Sequence, residues 1–164
     1  MKVLDNAQWG FESNCFVCER ANPQGLRVPF AHDEARHVVV ATFSLGPEFS
    51  GAPNFVHGGI VSAILDEAMA WAAIAIGGAF AVTSELSVRF ERPVRVDRSY
   101  RVEAALLDTD TTAIHAEASI VDAKDRVCAT ATSTLVPLNA TQAADATGTE
   151  VVGADGAFLR PTRT

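Results

Sequence analysis

One stretch limits the possible folds of this chain more than any other: residues 54–78, NFVHGGIVSAILDEAMAWAAIAIGG. Between Ile60 and Ile76 it is an unbroken run of helix formers, apolar on nearly every side, and Gly77-Gly78 ends it. A helix apolar all round belongs inside a fold. Two acids, Asp66 and Glu67, nonetheless sit at its middle. A carboxylate inside an apolar element costs several kcal/mol unless it is paired, hydrated or used.

The rest of the chain supplies strands to cover that helix. Residues 26–30 and 36–45 read as a hairpin turning around Ala31-His32-Asp33-Glu34, and residues 46–53, with two prolines and two glycines, read as loop. Four strand-like runs follow the helix, at 81–90, 99–107, 112–121 and 127–136. In the first, Val82, Leu86, Val88 and Phe90 alternate with Thr83, Glu85, Ser87 and Arg89, which predicts one apolar and one polar face. In the third, Ile114, Ala116, Ala118 and Ile120 point inward. The short polar connections 108–110 and 122–125 make these runs an antiparallel meander. The order strand, strand, long helix, four strands predicts an α+β domain, one antiparallel β-sheet wrapped around a long central α-helix. Residues 1–25 read as a short N-terminal arm and 26–138 as the domain proper. Residues 139–164, rich in Ala, Thr, Gly and Asp with only Val151-Val152 and Phe158-Leu159 as apolar content, read as a mobile or loosely docked tail.

The chain's 164 residues suit one domain, large enough to bury roughly two thirds of its unfolded surface. A net charge of −7 argues against a nucleic-acid or anionic-membrane surface. The start lacks a basic segment followed by an apolar one, and the long apolar stretch carries two acids, so neither export nor a membrane span is expected, and the expected compartment is the cytosol. Three cysteines, Cys15, Cys18 and Cys128, form no disulfide framework. Cys15 and Cys18 followed by His32 and His37 have the spacing of a Cys2His2 zinc finger. A finger carries its histidines on a helix, whereas here Pro23, Gly25 and Pro29 intervene and His37 opens the Val38-Val39-Val40 strand, so no metal is expected.

His57-Gly58-Gly59 entering the helix offers backbone N–H groups that no residue four back can satisfy, at the positive end of the helix dipole. That arrangement suits an oxygen gaining negative charge, and such donors contribute about 2.7–4 kcal/mol to acyl-transfer transition states. Asp66 lies about two and a half turns further on, roughly 13 Å along the axis. It is too distant to serve a carbonyl held at its own helix start, so joint action would need two copies of the chain.

Phe55-Val56-His57-Gly58-Gly59 with Asp66 nine residues after the His, the helix between strand groups, and Arg92-Pro93-Val94 after the third strand together resemble the hotdog-fold acyl-CoA thioesterases, in their PaaI-type branch. The arm Cys15-Phe16-Val17-Cys18 followed by Asn22-Pro23-Gln24-Gly25-Leu26 is also similar to the N-terminal segment of many members. The resemblance runs from about Cys15 to Val136. It implies a hotdog domain that hydrolyses acyl-CoA to free acid and CoA, with no metal or other cofactor, as a homodimer or homotetramer whose active site lies at the subunit interface. The Gly58 N–H would polarise the thioester carbonyl, Gly59 would keep the turn open and His57 would fix its geometry. Asp66 of the neighbouring subunit would attack the carbonyl or act as general base on water. Thr83 stands where related enzymes hold the water or carboxylate with a Ser or Thr. Some relatives have Asn six residues before the His, where this chain has Gly51. Asn54 and Ser62 would line the substrate pocket, and Arg89, Arg92 or the loop of Lys124 and Arg126 would meet the CoA phosphates. Plainer readings stand beside these: a His at a helix start caps it, and Thr is common in strands. Two other activities share the fold, acyl-CoA binding without hydrolysis and hydration or dehydration of acyl thioesters.

Overall fold

The computed structural model describes residues 1–151. Its elements are β1 (Lys2–Val3), β2 (Ala31–Asp33), β3 (Val38–Phe43), α1 (Gly58–Ala75), β4 (Ala81–Phe90), β5 (Tyr100–Thr109), β6 (Ile114–Asp122), β7 (Val127–Pro137) and α2 (Ala140–Thr147), with 3-10 turns at Asn6–Trp9 and Pro47–Phe49. The strands form one antiparallel sheet in the order β1-β2-β3-β5-β6-β7-β4, and α1 packs across β3 to β7. This is the expected α+β arrangement of a sheet around one helix.

By length and composition α1 is apolar enough to cross a membrane. Here the sheet takes its apolar face instead. Val61, Ile64, Leu65, Ala68, Met69 and Ala72 are buried in one cluster with Val39, Val102, Ile114, Ile120 and Leu135. Each large aliphatic side chain so buried is worth about 1.5–3 kcal/mol. The burial is not complete all round. Ala63, Asp66, Glu67, Ala70 and Ile74 remain half-buried, and Trp9 of the arm packs tilted against Trp71 at 5.5 Å between ring centroids. The helix ends as its glycines predict, for two separate reasons. A Cβ on Gly77 would lie 2.8 Å from the Ala73 carbonyl oxygen, and Gly78 takes φ +63, from which the chain turns so that the Ala79 N–H reaches the Ala73 carbonyl.

Three local features differ from the sequence pattern. The first is the early hairpin. Residues 26–30 are not a strand, because their backbone is taken by the arm: Leu26 N–H donates to Phe16 O and Val28 N–H to Val17 O, both at 2.8 Å. The pairing starts only at Ala31, opposite Val40, so the segment expected to turn is itself β2. The second is a β-bulge in β4 between Thr83 and Glu85. Thr83 lies opposite the buried Leu135, and Leu86, Val88 and Phe90 lie opposite Ser133, Ala131 and Ala129. The extra residue, Ser84, therefore moves Thr83 onto the helix-facing side with Leu86 and Val88, and leaves Val82 on the other. The third is the tail. Residues 140–147 form α2, whose Asn139 and Gln142 make a reciprocal capping box and which stops at Gly148 with φ 73. Leu138, Ala143 and Val151 bury against Trp9, Phe11 and Phe80. Val152, Phe158 and Leu159 lie outside the described residues.

Ile64, with no exposed surface at the centre of α1, gives a direct measure of this core. Ile64→Ala is expected to lower the unfolding free energy by about 2–5 kcal/mol in urea denaturation, and a loss under 1 kcal/mol would mean that the helix is not seated as described.

Candidate active site

The start of α1 is held from three directions. Val56 N–H donates to Val94 O at 2.8 Å and His57 N–H to Phe49 O at 2.9 Å, which fixes the entering chain. His57 is the N-cap, and its ring Nδ1 accepts the Gly59 N–H at 2.9 Å. Its carbonyl accepts Ile60 N–H at 2.9 Å and Val61 N–H at 3.1 Å. Among the described residues, Gly58 N–H is thereby the one first-turn donor left without an acceptor. It is exposed, with Phe90 at the end of β4 beside it: a Cβ on Gly58 would lie 3.4 Å from Phe90 Cζ. The capping role and the free donor are therefore one arrangement, since occupying Gly59 with the imidazole singles out Gly58.

The glycines around the ring are spatial requirements. A Cβ on Gly59 would come within 3.1 Å of His57 Nδ1, and one on Gly51 within 3.3 Å of both His57 Cα and Cδ2. Gly51 is thus the floor on which His57 rests, and an Asn side chain at this position would push against it. The spacing to His57 was visible in the sequence, but the contact was not.

Asp66 and Thr83 form the second centre. Thr83 Oγ1 donates to Asp66 Oδ1 at 2.7 Å, joining α1 to β4, and both side chains are half-buried. The bulge at Ser84 is what turns Thr83 to the helix. A hydroxyl bonded to one carboxylate oxygen leaves the other free to accept a proton or to attack carbon. Asp66 follows Gly58 by eight residues, about 12 Å along the helix by its rise. Within one chain the free donor and the carboxylate do not meet.

The other sequence candidates are dispersed. Ser62 Oγ donates to Gly58 O at 2.9 Å, so its hydroxyl serves its own helix. Asn54 is exposed near the helix start, its carbonyl accepting Val96 N–H at 3.2 Å. Arg92 donates to Val127 O at 2.6 Å. Arg89 lies on the outer face of the sheet, in a groove with Glu103 and Glu117, away from α1. Arg126 is paired with Asp122 at 2.7 Å, whereas Lys124 forms no ion pair among the described residues. No basic cluster for phosphates forms among the described residues of one chain.

Glu67 points elsewhere than Asp66, as two consecutive helix positions must, about 100° apart. Its Oε1 lies 3.3 Å from Cys15 Sγ. Burial is the main cause pushing Glu67 up to about 8, while the Cys18 thiol, then the Cys18 and Val17 N–H groups, hold Cys15 down at about 5. The Cys18 thiol is pushed up by the same contact with Cys15. His32 and His37 take no part: His32 is on β2 and His37 is in the turn before β3 with φ 53. The sequence offered no signal for the Cys15–Glu67 contact, which joins segments 52 residues apart.

Comparison with known proteins follows the same lines. Residues 53–129 match the family model described as the thioesterase superfamily. A crystallised thioesterase superfamily protein is 27% identical over 70% of this chain and 56% of its own, with a TM-score of 0.65. The Escherichia coli PaaI protein is 18% identical over 70% of this chain and 81% of its own, with a TM-score of 0.62. A Streptococcus mutans UA159 protein crystallised with acetyl CoA is 18% identical over 62% and 81%, with a TM-score of 0.59. Among curated proteins none matches significantly. Residues 53–129 thus resemble the thioesterase superfamily, and the sheet around α1 shares the hotdog fold of these solved structures.

His57→Ala removes the side-chain cap at the helix start. A loss of about 0.5–2 kcal/mol of stability is expected in chemical denaturation, the usual range for an N-cap, and an unchanged midpoint would remove the imidazole from that role.

Proposed function

We propose that this protein is an acyl-CoA thioesterase of the PaaI type, hydrolysing acyl-CoA to the free acid and CoA in the cytosol. The single observation that carries the reading is the pair of centres just described: a Gly58 N–H at a helix start with no acceptor among the described residues, and an Asp66 carboxylate held by Thr83 at 2.7 Å. The acetyl CoA held by the Streptococcus mutans relative supports a CoA thioester as the substrate class.

In this reading the Gly58 N–H donates to the thioester oxygen, where the helix dipole and the donor stabilise the charge that develops on it. Asp66 of the partner subunit either attacks the carbonyl carbon or takes a proton from the attacking water, with Thr83 fixing the carboxylate. The C–S bond breaks and CoA leaves as the thiolate, giving the free acid directly on the water route, or an acyl–Asp66 anhydride that a water molecule then hydrolyses to the free acid. His57 acts on the geometry, by occupying Gly59.

Among the described residues β4 is the last strand of the sheet with nothing paired beyond it, which supports the dimer this requires. Val82, Leu86 and Phe90 are 47%, 37% and 55% exposed along it, and such an edge invites pairing with another strand. β4 carries Phe90, beside Gly58, at one end and Thr83, bonded to Asp66, at the other. Antiparallel pairing of two β4 strands about a two-fold axis near Leu86 and Ser87 would set the Phe90 end of one against the Thr83 end of its partner. Gly58 of one chain and Asp66 of the other would then share one cleft.

Thiol release from a panel of aliphatic and aromatic acyl-CoAs tests the activity. Hydrolysis frees CoA thiol, whereas binding alone and hydration leave the thioester intact. Asp66→Asn is expected to lower kcat by about 10²–10⁴ while acyl-CoA still binds. Thr83→Val, which removes one hydrogen bond to a charged group, is expected to cost about 10–100-fold. Unmodified protein that releases no thiol from any member of the panel would refute the reading.

A further inference from the structure

The helix acid that the proposed reaction does not use belongs to a different group of side chains. Cys15 Sγ, Cys18 Sγ and a Glu67 carboxylate oxygen lie within 4.8 Å of one another, all three half-buried. From this convergence we infer that Cys15, Cys18 and Glu67 form a binding site for a soft divalent cation of the zinc class, which pins the N-terminal arm to α1.

The geometry is close to what such an ion needs. Tetrahedral zinc with Zn–S of about 2.3 Å and Zn–O of about 2.1 Å sets its donor atoms roughly 3.6–3.8 Å apart. Here Cys15 Sγ and Glu67 Oε1 are 3.3 Å apart, and the whole set spans at most 4.8 Å. An ion entering between them needs adjustments of a few tenths of an ångström to about one.

The surroundings suit bound thiolates. Val17 N–H and Cys18 N–H both donate to Cys15 Sγ, at 3.3 and 3.4 Å, so the Cys-x-x-Cys turn already wraps its amides around the first sulfur. Asn6 Nδ2 donates to Cys18 Sγ at 3.6 Å. Hydrogen bonds of this kind orient ligands and stabilise their charged form. Glu67 in turn is carried on the helix most deeply set in the core, so its position is fixed independently of the arm. A cavity of about 380 Å³ lined by Cys15, Glu67, Phe11 and Trp71 among others provides an entry path.

Two thiolates and one carboxylate favour a borderline-soft divalent ion over a hard one such as magnesium or calcium, which takes oxygen ligands alone. The described residues offer three donors, so water completes the tetrahedron. The finger-like spacing of the sequence thus contains two genuine ligands, while the third donor comes from α1 and neither His takes part. Binding of this ion does not depend on the proposed thioesterase activity, and its test reads metal alone.

The full chain, reduced and stripped of metal, is titrated with Co²⁺, which reports thiolate ligation through charge-transfer absorption and tetrahedral geometry through its visible bands. One Co²⁺ per chain is expected, displaced by Zn²⁺, together with a zinc-dependent rise in Tm that a chelator reverses. Cys18→Ser and Glu67→Gln, each checked for its circular dichroism spectrum, should weaken Co²⁺ binding at least tenfold, with Glu67→Gln keeping the thiolate absorption. Failure of the reduced protein to give the cobalt–thiolate absorption overturns the inference, as does binding that neither substitution weakens. A Cys15–Cys18 disulfide whose reduction restores no metal uptake overturns it equally.

Discussion

The 2.7 Å bond from Thr83 to Asp66 carries more of this structure's meaning than any other contact. A carboxylate on the most apolar helix of the chain is costly to bury, and a neutral helix of similar shape would pack at least as well. The sheet deals with it by adding one residue to β4. Ser84 bulges out, Thr83 turns toward α1, and its hydroxyl reaches the acid. A bulge is a local loss of pairing. It is retained here in the one strand whose far end also holds Phe90 against Gly58.

The helix start shows the same economy of parts. His57, Gly51 and Gly59 form a compact unit in which each glycine makes room for the imidazole and the imidazole occupies one N–H. Gly58 is left as the unclaimed donor. The two centres lie on one helix and one strand, so any shift between α1 and β4 would move both, and a pairing of two β4 edges joins them without further loops.

Much of this was legible in the sequence because it depends on local rules. The helix, its His-Gly-Gly entry and its double-glycine stop follow from propensity and capping, and the inward alternation of β6 is uninterrupted. The failures have physical causes as well. The 81–90 run keeps its alternation except at Ser84, a polar residue in the apolar phase between Val82 and Leu86, and reading through that break puts Thr83 on the side away from the helix it serves. The 26–30 segment has strand composition, but the arm takes its hydrogen bonds. The cap of α2 was present as Asn139 and Gln142, hidden in a composition that reads as a tail. Glu67 needed the arm to be folded back before its partner could be seen.

The central claim is that Gly58 and Asp66 act together from different subunits, and subunit complementation tests it most directly. Gly58→Pro removes the N–H alone: proline is favoured at the first helical position, His57 already has ψ 135, as a residue before proline requires, and a Cβ at Gly58 makes only ordinary contact with Phe90. Chains carrying Gly58→Pro are co-expressed, under two different affinity tags, with chains carrying Asp66→Asn, and the doubly tagged species is assayed for thiol release. Each parent should be nearly inactive, while the mixed dimer holds one intact site of its two and should recover about half the activity of the unmodified dimer. Mixed dimers that form but release no more thiol than the parents would contradict the account.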